Sequence, residues 1–111
     1  MALKPEIMYI AELGAANSET LWARIGRVSF SKTGRTLHYA GHELTGGQGE
    51  YYDAQTGQRF HIQRARTDGF DRSEGRKRGS FRVEIDEDVR EEYWRQIRND
   101  PSRSHESVIY S

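Results

Sequence analysis

The chain has 111 residues, 34% of them hydrophobic and 31% charged, with no cysteine and a formal net charge of zero. That length suits one domain with a thin core, in which four Phe, six Tyr and two Trp supply large buried areas, a composition that favours a small barrel over a helical bundle. The lack of cysteine excludes disulfides, thiolate metal sites and thiol nucleophiles and fits a reducing cytoplasm; the opening MALKPEIMYIAEL, broken by Pro5 and Glu6, is not the apolar core of a secretion signal, and no stretch has the length of a membrane span.

Taken in chain order, IMYIAE (7–12) is a short apolar run and a first strand. LWARIGRVSF (21–30) sets Trp22, Val28 and Phe30 on one parity and Ile25 on the other, which predicts a change of face at Gly26, as at a bulge. SKTG is a hairpin loop ending in a glycine, and RTLHYAG returns with Leu37 and Tyr39 on one face. GHELTGGQGEY (41–51) reads as a flexible glycine-rich connection. It has neither the terminal Gly-Lys-Ser/Thr of a phosphate loop nor the GxGxxG spacing. A second hairpin follows, YYD–AQTG–QRFHIQRA, with Asp53 bonding the turn and Phe60 and Ile62 alternating against Arg59, His61 and Gln63.

SFRVEID is the clearest strand, with Phe81, Val83 and Ile85 on one side. It leads into a helix at about 87–98, for which Asp86 is the expected N-cap and Val89, Tyr93, Trp94 and Ile97 the apolar face, with Glu91 and Arg95 paired at i, i+4. Asn99, Asp100 and Pro101 end it, and 101–111 is a polar tail whose VIY either is disordered or adds a strand. The fold class is therefore mainly β (α+β). We expect a small SH3-like antiparallel barrel or bent sheet of five to six strands with one C-terminal helix, spanning 1–100 as a single domain; an open sheet with one packed helix is the alternative.

The zero net charge conceals an uneven distribution. Residues 1–23 carry one base and three acids, 24–79 carry eleven and six, and 80–111 carry five and eight. Such asymmetry marks either a surface that holds a polyanion or charge complementarity between a barrel and its own helix. For the first reading the bases are Arg24, Arg27, Lys32, Arg35, Arg64, Arg66, Arg76, Lys77 and Arg78, with Tyr39, Tyr51, Tyr52 and Phe70 as stacking surfaces for nucleic-acid bases. No GxSxG nucleophile motif is present. The carboxylates of EIDEDVREE belong to the start of a helix rather than to an EF-hand, and His38, His42 and His61 lack the convergent spacing of a metal site. No cofactor and no catalytic residue is expected.

KPEIMYI, ARIGRVSFSKTGRTLHYAG, YYDAQTG, DGFDR and IDEDVREEYWRQIR together resemble a family of short uncharacterised bacterial proteins, over about residues 5–98. Members often carry the label 1-deoxy-D-xylulose-5-phosphate synthase, a multidomain thiamine diphosphate enzyme whose cofactor motif this chain lacks. The resemblance implies no activity and no catalytic residues. His61 stands where the family usually has Trp, and SEGRKRGS replaces a short aromatic-Gly link; Asp71 and Arg72 match the family, which implies a structural role for that pair in fixing the loop. The expected function is that of a non-enzymatic module binding nucleic acid or another polyanion. The alternatives are a protein-interaction factor using exposed aromatics or a strand edge, and, less favoured, a metal-dependent enzyme using the three histidines.

Overall fold

The computed structural model of the chain describes residues 4–14, 19–69, 71 and 81–110. Eight strands follow in order: β1 (Glu6–Leu13), β2 (Thr20–Phe30), β3 (Thr36–Tyr39), β4 (His42–Gly47), β5 (Glu50–Asp53), β6 (Arg59–Arg64), β7 (Arg82–Ile85) and β8 (Val108–Tyr110). Antiparallel pairing runs β1–β6–β5–β4–β3–β2, and β2 pairs back with β1, so six strands close a barrel. Closure excludes the open-sheet alternative. It also leaves the barrel itself without a free edge.

Two cores lie on opposite sides of β1. Met8 and Ile10 point into the barrel with Val28, Leu37, Leu44, Phe60 and Ile62. Ile7, Tyr9 and Ala11 point outward, where they meet Ala23 and Ile25 of β2, Val83 and Ile85 of β7, Ile109 of β8, and Val89, Tyr93 and Trp94 of the helix. A strand buried on both faces reads as an unbroken apolar run, which is why IMYIA shows no alternation.

β2 is the fork of the fold. Its free edge pairs with β3 at Ser29 and Phe30 and, in parallel, with β7 at Arg24 and Ile25. Gly26 sits in the crotch between them. The β1–β2 ladder runs through Gly26 in register with Met8, and the irregularity falls at Glu12/Leu13, so the expected bulge at Gly26 is absent. Glycine is required there for space: a Cβ would come within 2.5 Å of both Asp86 Oδ2 and the Tyr39 ring.

The segment 41–51, expected to be a flexible loop, is mostly β4 and the start of β5. Leu44 is its one buried apolar residue, and Gly46, at φ 149°, lets the backbone of Glu50 and Tyr51 approach. The helix spans 87–97. It opens with a 3-10 turn at Glu87–Val89 and ends in a π turn at Tyr93–Ile97, where Arg98 N–H bonds Tyr93 O (3.0 Å). The wider turn lets two adjacent residues, Tyr93 and Trp94, both enter the core, and the Trp94 indole N–H reaches Glu106 O (2.9 Å). Asp86 makes no side-chain cap; its carboxylate is taken by Arg24 and Tyr39. Within the C-terminal tail VIY adds a strand, β8, paired antiparallel to β7. Among the described residues no helix is long and apolar enough to cross a membrane.

We expect Gly26→Ala to destabilise the domain by about 1–3 kcal/mol in chemical denaturation, because the Tyr39 ring and Asp86 cannot both withdraw. An unchanged midpoint would show that the crotch is loosely packed.

Candidate functional site: the two ends of the barrel

Strand register separates the polar residues into two groups. At one end lie the finish of β1, the start of β2, the β3–β4 turn and the start of β6; at the other lie the start of β1, the β2–β3 hairpin and the finish of β6.

The first end is a mouth closed by paired groups. Tyr39 donates to Asp86 Oδ2 (2.6 Å) while Arg24 holds Asp86 Oδ1 (3.1 Å) and reaches Glu84 (3.4 Å). Burial, reinforced by this carboxylate, pushes the Tyr39 hydroxyl far above its ordinary range, and the same carboxylate raises Arg24. Across the mouth His42 Nδ1 meets Asp53 Oδ2 at 2.7 Å, and Asp53 Oδ1 accepts the Gln55 and Thr56 N–H groups that form the turn. The hydrogen bond from His42 and those of the turn hold the Asp53 carboxyl below its usual value. An ionised carboxylate only accepts, so His42 Nδ1 carries a proton and donates it to Asp53. Gln58 donates to Glu12, and Trp22 and His42 each lie against Phe60 (centroids 6.2 and 5.4 Å). Beside the mouth β2 and β7 diverge, opening a groove of about 580 Å³ bordered by Leu21, Trp22, Phe81 and Arg82.

The second end holds bases with few acids. Lys4, Lys32 and Arg35 are exposed and make no ion pair among the described residues. Arg64, at the finish of β6, is 84% exposed and only 3.6 Å from Glu6. The other bases singled out from the sequence are committed elsewhere: Arg27 points outward to Glu92 of the helix (3.1 Å), on the face of β2 opposite Arg24, and Arg66 pairs with Asp68 (2.9 Å). The β2 arginines therefore do not share a surface. Arg76, Lys77 and Arg78 lie outside the described residues, as do Phe70 and Arg72.

Of the stacking residues, Tyr39 is corrected to a core position, since it is 7% exposed and bonded to Asp86, and Tyr51 packs partly against the barrel core. Tyr52 stands 47% exposed on the outer wall. Asp71 is 5% exposed; its Oδ1 accepts the Arg66 N–H (2.5 Å), its carbonyl accepts from Gln63, and Oδ2 is buried with no partner among the described residues. Beside it Gly69 touches the Arg98 guanidinium, which lies over Trp94 (5.0 Å). Of the three histidines weighed as metal ligands, His38 is exposed on the outer wall, His42 serves Asp53, and His61 lies between Glu50 (3.4 Å) and Gln63 (3.0 Å). Among the described residues no three His, Asp or Glu side chains converge as a metal site. The His42–Asp53 pair escaped sequence reading because its members stand at the start of one strand and the end of the next, brought together by the β4–β5 pairing.

Burial raises the Asp71 carboxyl to about 6, against the pull of the Arg66 N–H and nearby Arg98 and with the repulsion of Asp68. As pH rises from the unfolded value of 3.8 towards about 6, the unfolded chain sheds this proton before the folded one. The group therefore costs nothing below that window and about 3 kcal/mol above it. Asp71→Asn keeps an acceptor for Arg66 and removes the charge, so its advantage over wild type in urea melts should grow from pH 4 to pH 7; a constant difference would contradict the buried, ionised carboxylate. For the mouth, ¹⁵N imidazole shifts at neutral pH should show His42 protonated on Nδ1, and Asp53→Ala should restore a tautomer mixture. Predominant Nε2–H in wild type would break the assignment.

No family model matches the chain, and no match was found among curated proteins or solved structures.

Proposed function

We propose that this domain is a non-enzymatic binding module that holds a polyanion, with single-stranded nucleic acid as the leading class, at the barrel end formed by Lys32, Arg35 and Arg64. The observation that carries this reading is the contrast between the two ends. At the mouth Asp86 and Glu84 are held by Arg24 and Asp53 by His42, which leaves Arg59 as an exposed base with no ion pair among the described residues. At the hairpin end Lys32 and Arg35 stand exposed without an acidic partner among the described residues, and Arg64 is held only loosely by Glu6. Exposed bases on a small rigid barrel, with sequence-tolerant stacking surfaces such as Tyr52 nearby in the chain, are the means by which such domains track a phosphate backbone. The reading does not rest on Arg24 or Arg27, whose carboxylate partners would have to be displaced before a phosphate could bind.

Salt dependence separates this from incidental solubilising charge. Binding to random single-stranded DNA should weaken steeply as salt rises, and replacing Lys32, Arg35 and Arg64 together by Ala should reduce the log–log slope by about 2, since each single-strand phosphate contact contributes about 0.7. Arg27→Ala should leave the slope unchanged. Absence of binding at the lowest salt, or equal slopes for the triple variant and wild type, would overturn the proposal.

A further inference from the structure

The barrel has no edge, but the sheet does, and it ends at β8. Ile85 N–H bonds Ser107 O (2.8 Å), which fixes the direction of every backbone group on this short strand. In an antiparallel pair alternate residues turn their N–H and C=O to the same side, so Ser107 and Ile109 face β7. Val108 and Tyr110 must then direct both N–H and both C=O groups away from the sheet. Natural edges are guarded by charge, proline or a bulge. This one reads Val-Ile-Tyr, has none of these, and leaves Tyr110 56% exposed.

We propose that β8 pairs antiparallel with β8 of a second copy about a two-fold axis at Ile109, joining two sheets into one. In that register Val108 of each copy lies opposite Tyr110 of the other. All four outward N–H groups find all four outward carbonyls. Shifting the axis to Val108 would set Tyr110 opposite Glu106, whose N–H is already bonded to Arg103 O and whose carbonyl accepts the Trp94 indole N–H.

The charges are compatible with the same register, with Arg82 and Glu84 already paired to each other within each copy (3.4 Å). In each copy Arg82 lies beside Tyr110 and Glu84 beside Val108. About Ile109, the row across the junction therefore runs Arg82, Tyr110, then Val108 and Glu84 of the second copy, so opposite charges share each row. The Tyr110-centred register would put Arg82 in line with Arg82, and the Val108-centred one Glu84 with Glu84. Val108 against Tyr110 is also a favourable β-branched and aromatic cross-strand pair, and it covers the exposed ring.

Sedimentation of the wild-type chain over a concentration series should show a monomer–dimer equilibrium. Amide exchange should slow at Val108 and Tyr110 as concentration rises while Ile109, already bonded to β7, is unaffected. Tyr110→Pro removes an outward donor without touching the β7 ladder and should weaken dimerisation at least about tenfold. Val108→Lys, a gentler change that places like charges on the junction, should do the same. Wild type that remains monomeric at the highest soluble concentration overturns the proposal, as does a dimer unaffected by both variants or one whose protected amides lie outside β8. Monomers that capture a different extended peptide on β8 overturn it as well, since the edge would then serve another chain.

Discussion

Everything else in this domain hangs on β1 being buried on both faces. Its even residues seal the barrel and its odd residues form the floor on which β7, β8 and the helix rest. A six-stranded barrel of this size would otherwise have one small core. Sharing β1 and β2 between two cores lets a chain with few hydrophobic residues bury Tyr9, Tyr93 and Trp94 completely as well as the barrel filling. Losing one such aromatic to Ala costs about 3–5 kcal/mol, a large part of the stability of a domain this small. The same arrangement sets the geometry of the fork. β3 and β7 must leave β2 in different directions, and Tyr39 and Asp86 meet over the one residue between them that has no side chain.

The elements that face water on one side were legible in the sequence. β3, β6 and β7 alternate cleanly, and the helix shows its apolar positions at 89, 93, 94 and 97. What alternation cannot reveal is a second buried face, so β1 was recognised as a strand without its double role being visible. β4 was missed for the opposite reason: HELTGG contributes a single apolar side chain, and its glycines suggest a loop although one of them serves close strand contact. Asp86 had the right residue type and position for a helix cap. A carboxylate can serve one set of donors, and here long-range partners on β2 and β3 outcompeted the local N–H groups. Of the candidate site, residue types were legible, but not which bases would meet acids. That depends on register across the closed barrel, which no local pattern encodes.

Charge is the property most altered by folding. The basic middle and acidic C-terminal part of the sequence meet in space, where Arg24 holds Asp86 and Glu84 and Arg27 holds Glu92. This is complementarity between barrel and helix, one of the two readings the composition allows. Exposed pairs of this kind contribute little stability individually, about 0–1 kcal/mol. Their larger effect is to fix how the helix sits on β2 and to withdraw those arginines from any external anion. The exposed basic surface is therefore smaller than the arginine count suggests.

The most direct test of this account is native-state amide exchange compared between the two cores. If β1 belongs to both, amides of Tyr9 and Ile10 in β1, Ile25 in β2 and Ile85 in β7 should open only with global unfolding and with a common free energy. If instead the β7–β8 and helix layer opens well below the barrel, with β1 still protected, the two cores are separate units and the shared-strand account fails.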